Sequence, residues 1–323
     1  MMKKEKHLIC PITYEPLVEG ERYSKKGLKM LSPKLHILND LPFTAEQQRT
    51  EAKQRSDKMS IQGVQLKLSA TLDLKKQGFE ICNAGGNYIL KPPSELYPEL
   101  PENEDLSMRL AEGIIEVPLH GLVHSVDGTL TYFIKRFDRL PRGKKLALED
   151  FSQLAGMTRD TKYNFSMEKI ISIIDKYCTF PAIEKIKLFK ITLFNYLIGN
   201  EDMHLKNFSL ISRNDKVELS PAYDYINTTI AMGNAKEEIA LPLNGKKNNL
   251  TRKDIVDYYG IERIGLRRTI INEALNDFNA IIQKWKKLID VSFLSEKGKL
   301  DYLQVLEARA KTLDLNFGSV GHR

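Results

Sequence analysis

Residues 199–207 read Gly-Asn-Glu-Asp-Met-His-Leu-Lys-Asn and form the most informative stretch of the chain. An apolar run with helical spacing over 182–198 precedes them, and a strand-like run at 208–211 follows. That run predicts a hairpin with 217–219, after which the chain reaches Asp224. Polar loops often only cap turns, but a helix, a polar loop, a hairpin and an aspartate in this order favour a functional site.

The spacing of the polar residues in this stretch indicates a particular chemistry. Asp202 and Asn207 are five positions apart, the D-x-x-x-x-N spacing of a protein-kinase catalytic loop. In such a loop the aspartate accepts the proton of the attacking hydroxyl, and the asparagine ligates magnesium on the nucleotide. Asp224, seventeen residues after Asn207, has the position of the second metal-binding aspartate. The pattern therefore predicts Asp202 as catalytic base and Asn207 and Asp224 as magnesium ligands.

The rest of the chain shows two rhythms. Alternation of apolar and polar residues over 64–72 predicts a half-buried strand, and the first part of the chain then continues with further strands and one helix, predicted at 79–82, 88–91, 102–115 (helix), 120–126 and 130–137. After residue 138 helical spacing dominates, with helices predicted at 167–177, 182–198, 271–289 and 299–313. We therefore expect an α+β, two-lobed protein-kinase-like fold. Its small antiparallel-sheet N-terminal lobe spans 1–137, and its larger, mostly helical C-terminal lobe spans 138–323.

The first part of the chain supplies candidates for phosphate binding. Lys91 ends the third predicted strand, where the lysine of a V-A-I-K strand contacts nucleotide phosphates. Glu104 on the following helix is preferred over Glu102 as the residue that orients it. The loop at 59–67 precedes the first strand and could cradle phosphate with its amides, although it carries one glycine only. Lys67 is equally well explained as a solvated strand residue.

Composition limits the class of protein. The 323 residues carry a net charge of +7, and no apolar run approaches the ~18 residues that span a bilayer, so we expect no membrane association. Three widely spaced cysteines and no N-terminal apolar leader favour the cytoplasm. The basic residues of 1–58 and of 135–145 lack interleaved aromatic residues, so a solvated surface is the better explanation and direct nucleic-acid binding is not expected.

Taken together, several motifs resemble those of the HipA-like serine/threonine kinase toxins. They are Ser60-Ile61-Gln62-Gly63, Ile89-Leu90-Lys91-Pro92, Lys135-Arg136-Phe137-Asp138-Arg139, Glu149-Asp150-Phe151-x-Gln153, Gly199-Asn200-x-Asp202-x-His204-x-Lys206-Asn207-Phe208 and Pro221-x-Tyr223-Asp224. The resemblance extends from about residue 20 to residue 310. The chain lacks the N-terminal domain of full-length HipA, so the expectation is the short HipT-type form.

The resemblance implies ATP and Mg²⁺ as ligands and assigns roles to individual residues. Asp202 is the catalytic base, and Asn207 and Asp224 are the metal ligands. Ser60 is the autophosphorylation site, and Gln62 stands where the short form often has a second serine. The remaining implied nucleotide contacts are Gln62, Gly63, Val64, Gln65, Leu66, Lys67, Lys91, Lys135, Arg136, Phe137, His204 and Lys206. His204, judged from the residues alone, is more often a hydrogen-bonded structural histidine.

The resemblance also implies partners. They are a protein substrate, which in this family is an aminoacyl-tRNA synthetase, a DNA-binding antitoxin of HipB type and a small HipS-like protein. The chain departs from ordinary kinases because no glycine follows Asp224-Tyr225 and no A-P-E motif is present. Two other functions remain open, a non-catalytic nucleotide-binding regulator with a kinase fold and a basic module associated with nucleic acid.

Overall fold

The computed structural model describes residues 8–55, 65–157, 163–233 and 236–317, apart from the side chain of Arg142. The chain forms two compact units. The first comprises Met1–Leu106, Pro118–Phe137 and Val291–Leu294, and the second comprises Ser107–Val117, Asp138–Asp290 and Ser295–Arg323. No helix among the described residues is long and apolar enough to cross a membrane.

A five-stranded antiparallel sheet forms the centre of the first unit. Its strands are β1 (Leu68–Asp73), β2 (Gly78–Ile81), β3 (Tyr88–Lys91), β4 (His120–His124) and β5 (Leu130–Lys135). The order in the sheet is β2-β1-β3-β5-β4. Lys91 stands opposite Tyr132 of β5, so the end of β3 lies in the interior of the sheet. The core on this sheet includes Leu68, Ala70, Phe79, Tyr88, Leu90, Val123 and Phe133.

The first strand begins later than the sequence pattern predicts. Leu68 pairs with Leu90, so the next pair toward the N-terminus would set Lys67 opposite Lys91. Like charges directly opposite each other destabilise a sheet, which accounts for the start of β1 at Leu68. Residues 65–67 therefore belong to the preceding loop, and Lys67 is exposed there.

The described part of the first 111 residues contains three helices. They are α1 (Lys25–Leu31), α2 (Ala45–Arg55) and α3 (Leu100–Ala111). Ser24 caps α1 by accepting a hydrogen bond from the Gly27 amide at 3.1 Å. The chain leaves α3 through Gly113, whose φ of +86° ends the helix before the predicted residue 115.

The second unit is mainly helical. It contains α4 (Phe151–Leu154), α5 (Met167–Tyr177), α6 (Pro181–Leu197), α7 (Thr228–Met232), a π-helical segment (Lys253–Arg263), α8 (Arg268–Val291) and α9 (Glu296–Thr312). A small sheet with the order β6-β7-β8 accompanies them, built from β6 (Leu148–Asp150), β7 (Ser209–Arg213) and β8 (Lys216–Leu219). The β7–β8 hairpin lies between the catalytic-loop motif and Asp224, as predicted.

Candidate active site

Lys91 and Glu104 form a buried ion pair in the first unit. The Lys91 side chain is 1% exposed and that of Glu104 is fully buried. The Lys91 Nζ donates a hydrogen bond to Glu104 Oε1 and lies 5.6 Å from the centre of the Tyr132 ring. Burying a charge without a partner of opposite sign costs free energy of folding. The folded protein is therefore destabilised if either Lys91 or Glu104 loses its charge. The expected preference for Glu104 over Glu102 as the partner of Lys91 is confirmed.

The loop before β1 reaches this pair through Gln65. Its Nε2 donates to Glu104 Oε2 at 3.1 Å, so both carboxylate oxygens of Glu104 accept a hydrogen bond. Leu66 is partly buried and Lys67 is exposed. The other residues predicted for this loop lie outside the described part of the chain, namely Ser60, Gln62, Gly63 and Val64.

Glu102 lies two residues before Glu104 on α3, in an unfavourable environment for a carboxylate. Burial, together with the nearby charges of Glu99 and Asp105, raises the pKa of Glu102 to about 7. Near neutral pH this side chain therefore titrates in the folded protein.

We expect Glu102→Gln to change how stability depends on pH. Between pH 4.5 and about 7 the unfolded chain loses the Glu102 proton while the folded chain keeps it, so the wild-type protein loses stability as pH rises. Glutamine mimics the protonated form of Glu102. The melting temperature of the variant minus that of wild type should therefore increase from pH 5 to pH 8. Glu46→Gln on the exposed face of α2 is the control. A constant difference across this range would contradict the prediction.

Residues 135–137 leave the sheet at the end of β5. The Lys135 amide donates to the Leu119 carbonyl at 2.7 Å, and the Arg136 amide donates to the Asn87 carbonyl at 2.8 Å. These two amides are therefore engaged within the first unit. Phe137 follows and is partly buried.

In the second unit, Gly199 turns the chain from α6 into the catalytic-loop motif. Its φ is +69°, and its carbonyl accepts hydrogen bonds from the Thr228 and Thr229 hydroxyls, both at 3.1 Å. A Cβ here would lie 2.7 Å from Thr229 Oγ1 and 2.8 Å from Val305 Cγ1. Glycine is required at this position for both its conformation and its size.

We therefore expect Gly199→Ala to destabilise the protein by about 3 kcal/mol, the sum of a left-handed backbone and a steric overlap. Gly233→Ala is the matched control, because Gly233 has a φ of +67° but a Cβ added there would meet no atom within 4 Å. That variant should lose only about 1 kcal/mol. Urea unfolding measures both losses, and equal values would show that the overlap at residue 199 relaxes without cost.

Side-chain amides hold the backbone of the loop. Asn200 is buried, and its Nδ2 donates to Asn195 Oδ1 at 2.7 Å. Its Oδ1 accepts from the Asp202 amide at 3.1 Å, and Asn207 Nδ2 donates to the Asp202 carbonyl at 2.9 Å. The Asp202 backbone is thus held from both sides while its side chain is 53% exposed. A fixed backbone with an accessible carboxylate is what a general base requires.

Asp224 is brought near this loop by the residue before it. The Tyr223 hydroxyl donates to the Lys206 carbonyl at 2.9 Å and also hydrogen-bonds the Ser209 hydroxyl. Asn207 and Asp224 are the next residues after this bonded pair, so the structure brings the two predicted metal ligands into one neighbourhood. Asp224 has a φ of +57°, a conformation that aspartate tolerates better than most residues.

The donor set suits magnesium. Asn207 donates from its Nδ2 to the Asp202 carbonyl, so its side-chain Oδ1 is the atom that could bind a metal ion. Asp224 could supply a carboxylate as the second ligand. Mg²⁺ prefers oxygen ligands, and in nucleotide sites it takes one or two from the protein and the rest from water and phosphate. Among the described residues no cluster of three or more His, Cys, Asp and Glu side chains could hold a metal ion.

His204 and Lys206 occupy different environments in the loop. His204 is buried, and its Nε2 lies 3.9 Å from Asp202 Oδ1. Lys206 is partly exposed, and its carbonyl receives the Tyr223 hydrogen bond. His204 therefore adjoins the candidate base.

The sequence patterns missed Tyr163, whose hydroxyl donates a hydrogen bond to Asp202 Oδ1. Tyr163 lies 39 residues before Asp202, between α4 and α5. Nothing in the periodicity or spacing of the sequence connects the two residues.

The fold is α+β, with a buried lysine–glutamate pair in the first unit and a D-x-x-x-x-N loop in the second, and the comparisons with known proteins are consistent with it. Residues 59–285 match the family model described as the HipA-like C-terminal domain. A Haemophilus influenzae protein named "Putative kinase" is 30% identical over 310 residues, which cover 86% of this chain and 89% of that protein. The chain therefore belongs to the family of HipA-like C-terminal domains.

Two further relatives extend the comparison. The "Serine/threonine-protein kinase toxin HipA" of Shewanella oneidensis is 29% identical over 191 residues, which cover 53% of this chain and 43% of the toxin. The solved complex of Shewanella oneidensis HipA, HipB and operator DNA contains a chain with a TM-score of 0.66 and 20% identity, matched over 85% of this chain and 72% of that one. That likeness confirms the predicted α+β, kinase-like fold.

Proposed function

We propose that this protein is an ATP- and Mg²⁺-dependent protein serine/threonine kinase of the toxin class. The observation that carries the proposal is the loop in which Asn200 and Asn207 hold the backbone of Asp202 and leave its carboxylate exposed, next to the segment that carries Asp224. Membership of a family with a toxin kinase supports it.

Each set of residues has a role in this reaction. Lys91, oriented by Glu104, contacts the phosphates together with the loop at 62–67. Asn207 and Asp224 hold magnesium, which neutralises phosphate charge when bound. His204 and Lys206 line the nucleotide site, and the segment at 135–137 meets the adenine through backbone groups other than the engaged amides of Lys135 and Arg136.

In the proposed transfer Asp202 accepts the proton of the substrate hydroxyl while the hydroxyl oxygen attacks the γ-phosphorus of ATP. The bond from the γ-phosphorus to the β–γ bridging oxygen breaks, and ADP leaves. Ser60 is the proposed autophosphorylation site.

The proposed substrate is an aminoacyl-tRNA synthetase in the cytoplasm, where the three free cysteines Cys10, Cys82 and Cys178 would remain reduced. The proposed partners are a DNA-binding antitoxin of HipB type and a small HipS-like protein. The HipB in complex with the Shewanella HipA supports the first of these.

Phosphoproteomics after induced expression tests this function. We expect new phosphoserine sites on a cytosolic target with the wild-type protein and none with Asp202→Asn. Identical phosphorylation patterns with both proteins, together with no transfer from labelled ATP by the purified wild-type chain, would refute the kinase activity and favour a non-catalytic regulator.

A further inference from the structure

Among the described residues, the contacts to the Asp202 carboxylate fall on one of its oxygens. The Tyr163 hydroxyl donates to Oδ1, and His204 Nε2 lies 3.9 Å from the same atom. No hydrogen bond to Oδ2 comes from the residues that the structure describes. An aspartate that acts as a base needs one carboxylate oxygen to accept the proton of the substrate hydroxyl. In this arrangement Oδ2 is the oxygen that can do so.

We infer that Tyr163 is a positioning residue of the phosphoryl transfer. Its hydroxyl fixes Asp202 through Oδ1, so that Oδ2 faces the hydroxyl of the protein substrate. The inference rests on the proposed kinase function and adds a residue that acts through the base.

Asp202 needs such a support because its side chain is about half exposed. The hydrogen bonds from Asn200 and Asn207 hold only its backbone, so they leave the side-chain torsions free. If a reacting group is already fixed in one orientation, the activation free energy no longer includes the entropy cost of orienting it. The Tyr163 hydroxyl is the described donor that can do this.

Tyr163 is itself held in place. Its ring packs edge-to-face on His204, with centroids 5.1 Å apart and an interplanar angle of 81°. Four residues later α5 begins, and the Met167 amide at its start donates to the Pro242 carbonyl at 3.0 Å. The contact with His204 and the nearby start of α5 therefore fix the position from which the Tyr163 hydroxyl donates to Asp202.

The phenol is suited to remain a donor. Burial and the adjacent Asp202 carboxylate raise the pKa of Tyr163 above its ordinary value. The hydroxyl therefore keeps its proton throughout the neutral range, and the hydrogen bond to Oδ1 persists there.

Tyr163→Phe tests the inference, because it removes the hydroxyl and keeps the ring on His204. Transfer of phosphate from labelled ATP to myelin basic protein should fall in kcat about tenfold, the effect of losing one hydrogen bond to a charged group. The KM for ATP, the nucleotide Kd and the melting temperature should remain near those of wild type. The matched control is Tyr258→Phe, which removes a hydroxyl near the Glu168 carboxylate elsewhere in the second unit and should leave kcat unchanged.

Three outcomes for the Tyr163→Phe variant would overturn the inference. An unchanged kcat would show that the hydroxyl contributes nothing, and a raised kcat would show that it blocks the base. A raised KM for ATP with unchanged kcat would show a role in nucleotide binding instead. If the wild-type protein transfers no phosphate to itself or to myelin basic protein, the proposed function fails and the inference fails with it. An active wild type with an equally active Tyr163→Phe refutes the inference alone.

Discussion

Asp202→Asn is expected to lower phosphoryl transfer by roughly 10²–10⁴-fold, the range for loss of a general base. Asparagine has nearly the same shape, and the backbone hydrogen bonds of residue 202 with Asn200 and Asn207 do not depend on its charge. The loop should therefore keep its conformation and the protein should still bind ATP and magnesium. Labelled ATP measures the transfer, and isothermal titration measures the binding.

The matched control for this change is Asp215→Asn. Asp215 is exposed at the tip of the β7–β8 hairpin, where its φ of +57° suits asparagine equally well. The activity of the Asp215→Asn variant should equal that of wild type. Full activity of the Asp202 variant would remove Asp202 from the role of base, and loss of ATP binding would show that the residue acts on the nucleotide.

Lys91→Met is expected to destabilise the first unit strongly. It leaves the Glu104 carboxylate buried without its cation, and breaking a buried pair in this way costs about 3–5 kcal/mol. Lys91→Met combined with Glu104→Leu removes both charges and should recover most of that loss. Urea unfolding of both variants and of Glu104→Leu completes the double-mutant cycle.

Activity separates the two roles of Lys91. Because Lys91 is proposed to contact phosphate, the double variant should regain stability and remain inactive. A stable and active double variant would disprove the phosphate contact and leave a structural ion pair. Lys76→Met, at the exposed pair of Lys76 and Glu80, is the control and should change stability little.

The sequence predicts best those elements whose burial pattern is regular. Alternation predicted the strand at 64–72, strand-like runs bounded by turn residues predicted β2 to β5, and 3.6-residue spacing predicted α5, α6 and α8. The strongly polar α2 has no apolar stripe, and α1 has only seven residues, so neither has a periodicity that could be detected. The π-helical segment at Lys253–Arg263 departs from the 3.6-residue period and was missed for that reason.

The same distinction applies to the candidate site. The spacing of Asp202, Asn207 and Asp224 is local, and the structure brings these residues together around one loop and hairpin. The Lys91–Glu104 pair was also predicted, because both residues lie at predictable positions of a strand and the helix that follows it. The contact of Tyr163 with Asp202 depends on how distant segments pack, and no single-sequence pattern records that packing.

The narrow space around Gly199 also constrains how the family can change over evolutionary time. Residues 199, 229 and 305 lie far apart in the chain, yet a single added carbon at the first would touch the side chains of both others. These three positions therefore cannot vary independently. A homologue with a larger residue at position 199 should carry smaller residues at positions 229 and 305. Substitutions at position 199, just before the D-x-x-x-x-N loop, should therefore covary with substitutions on α7 and α9.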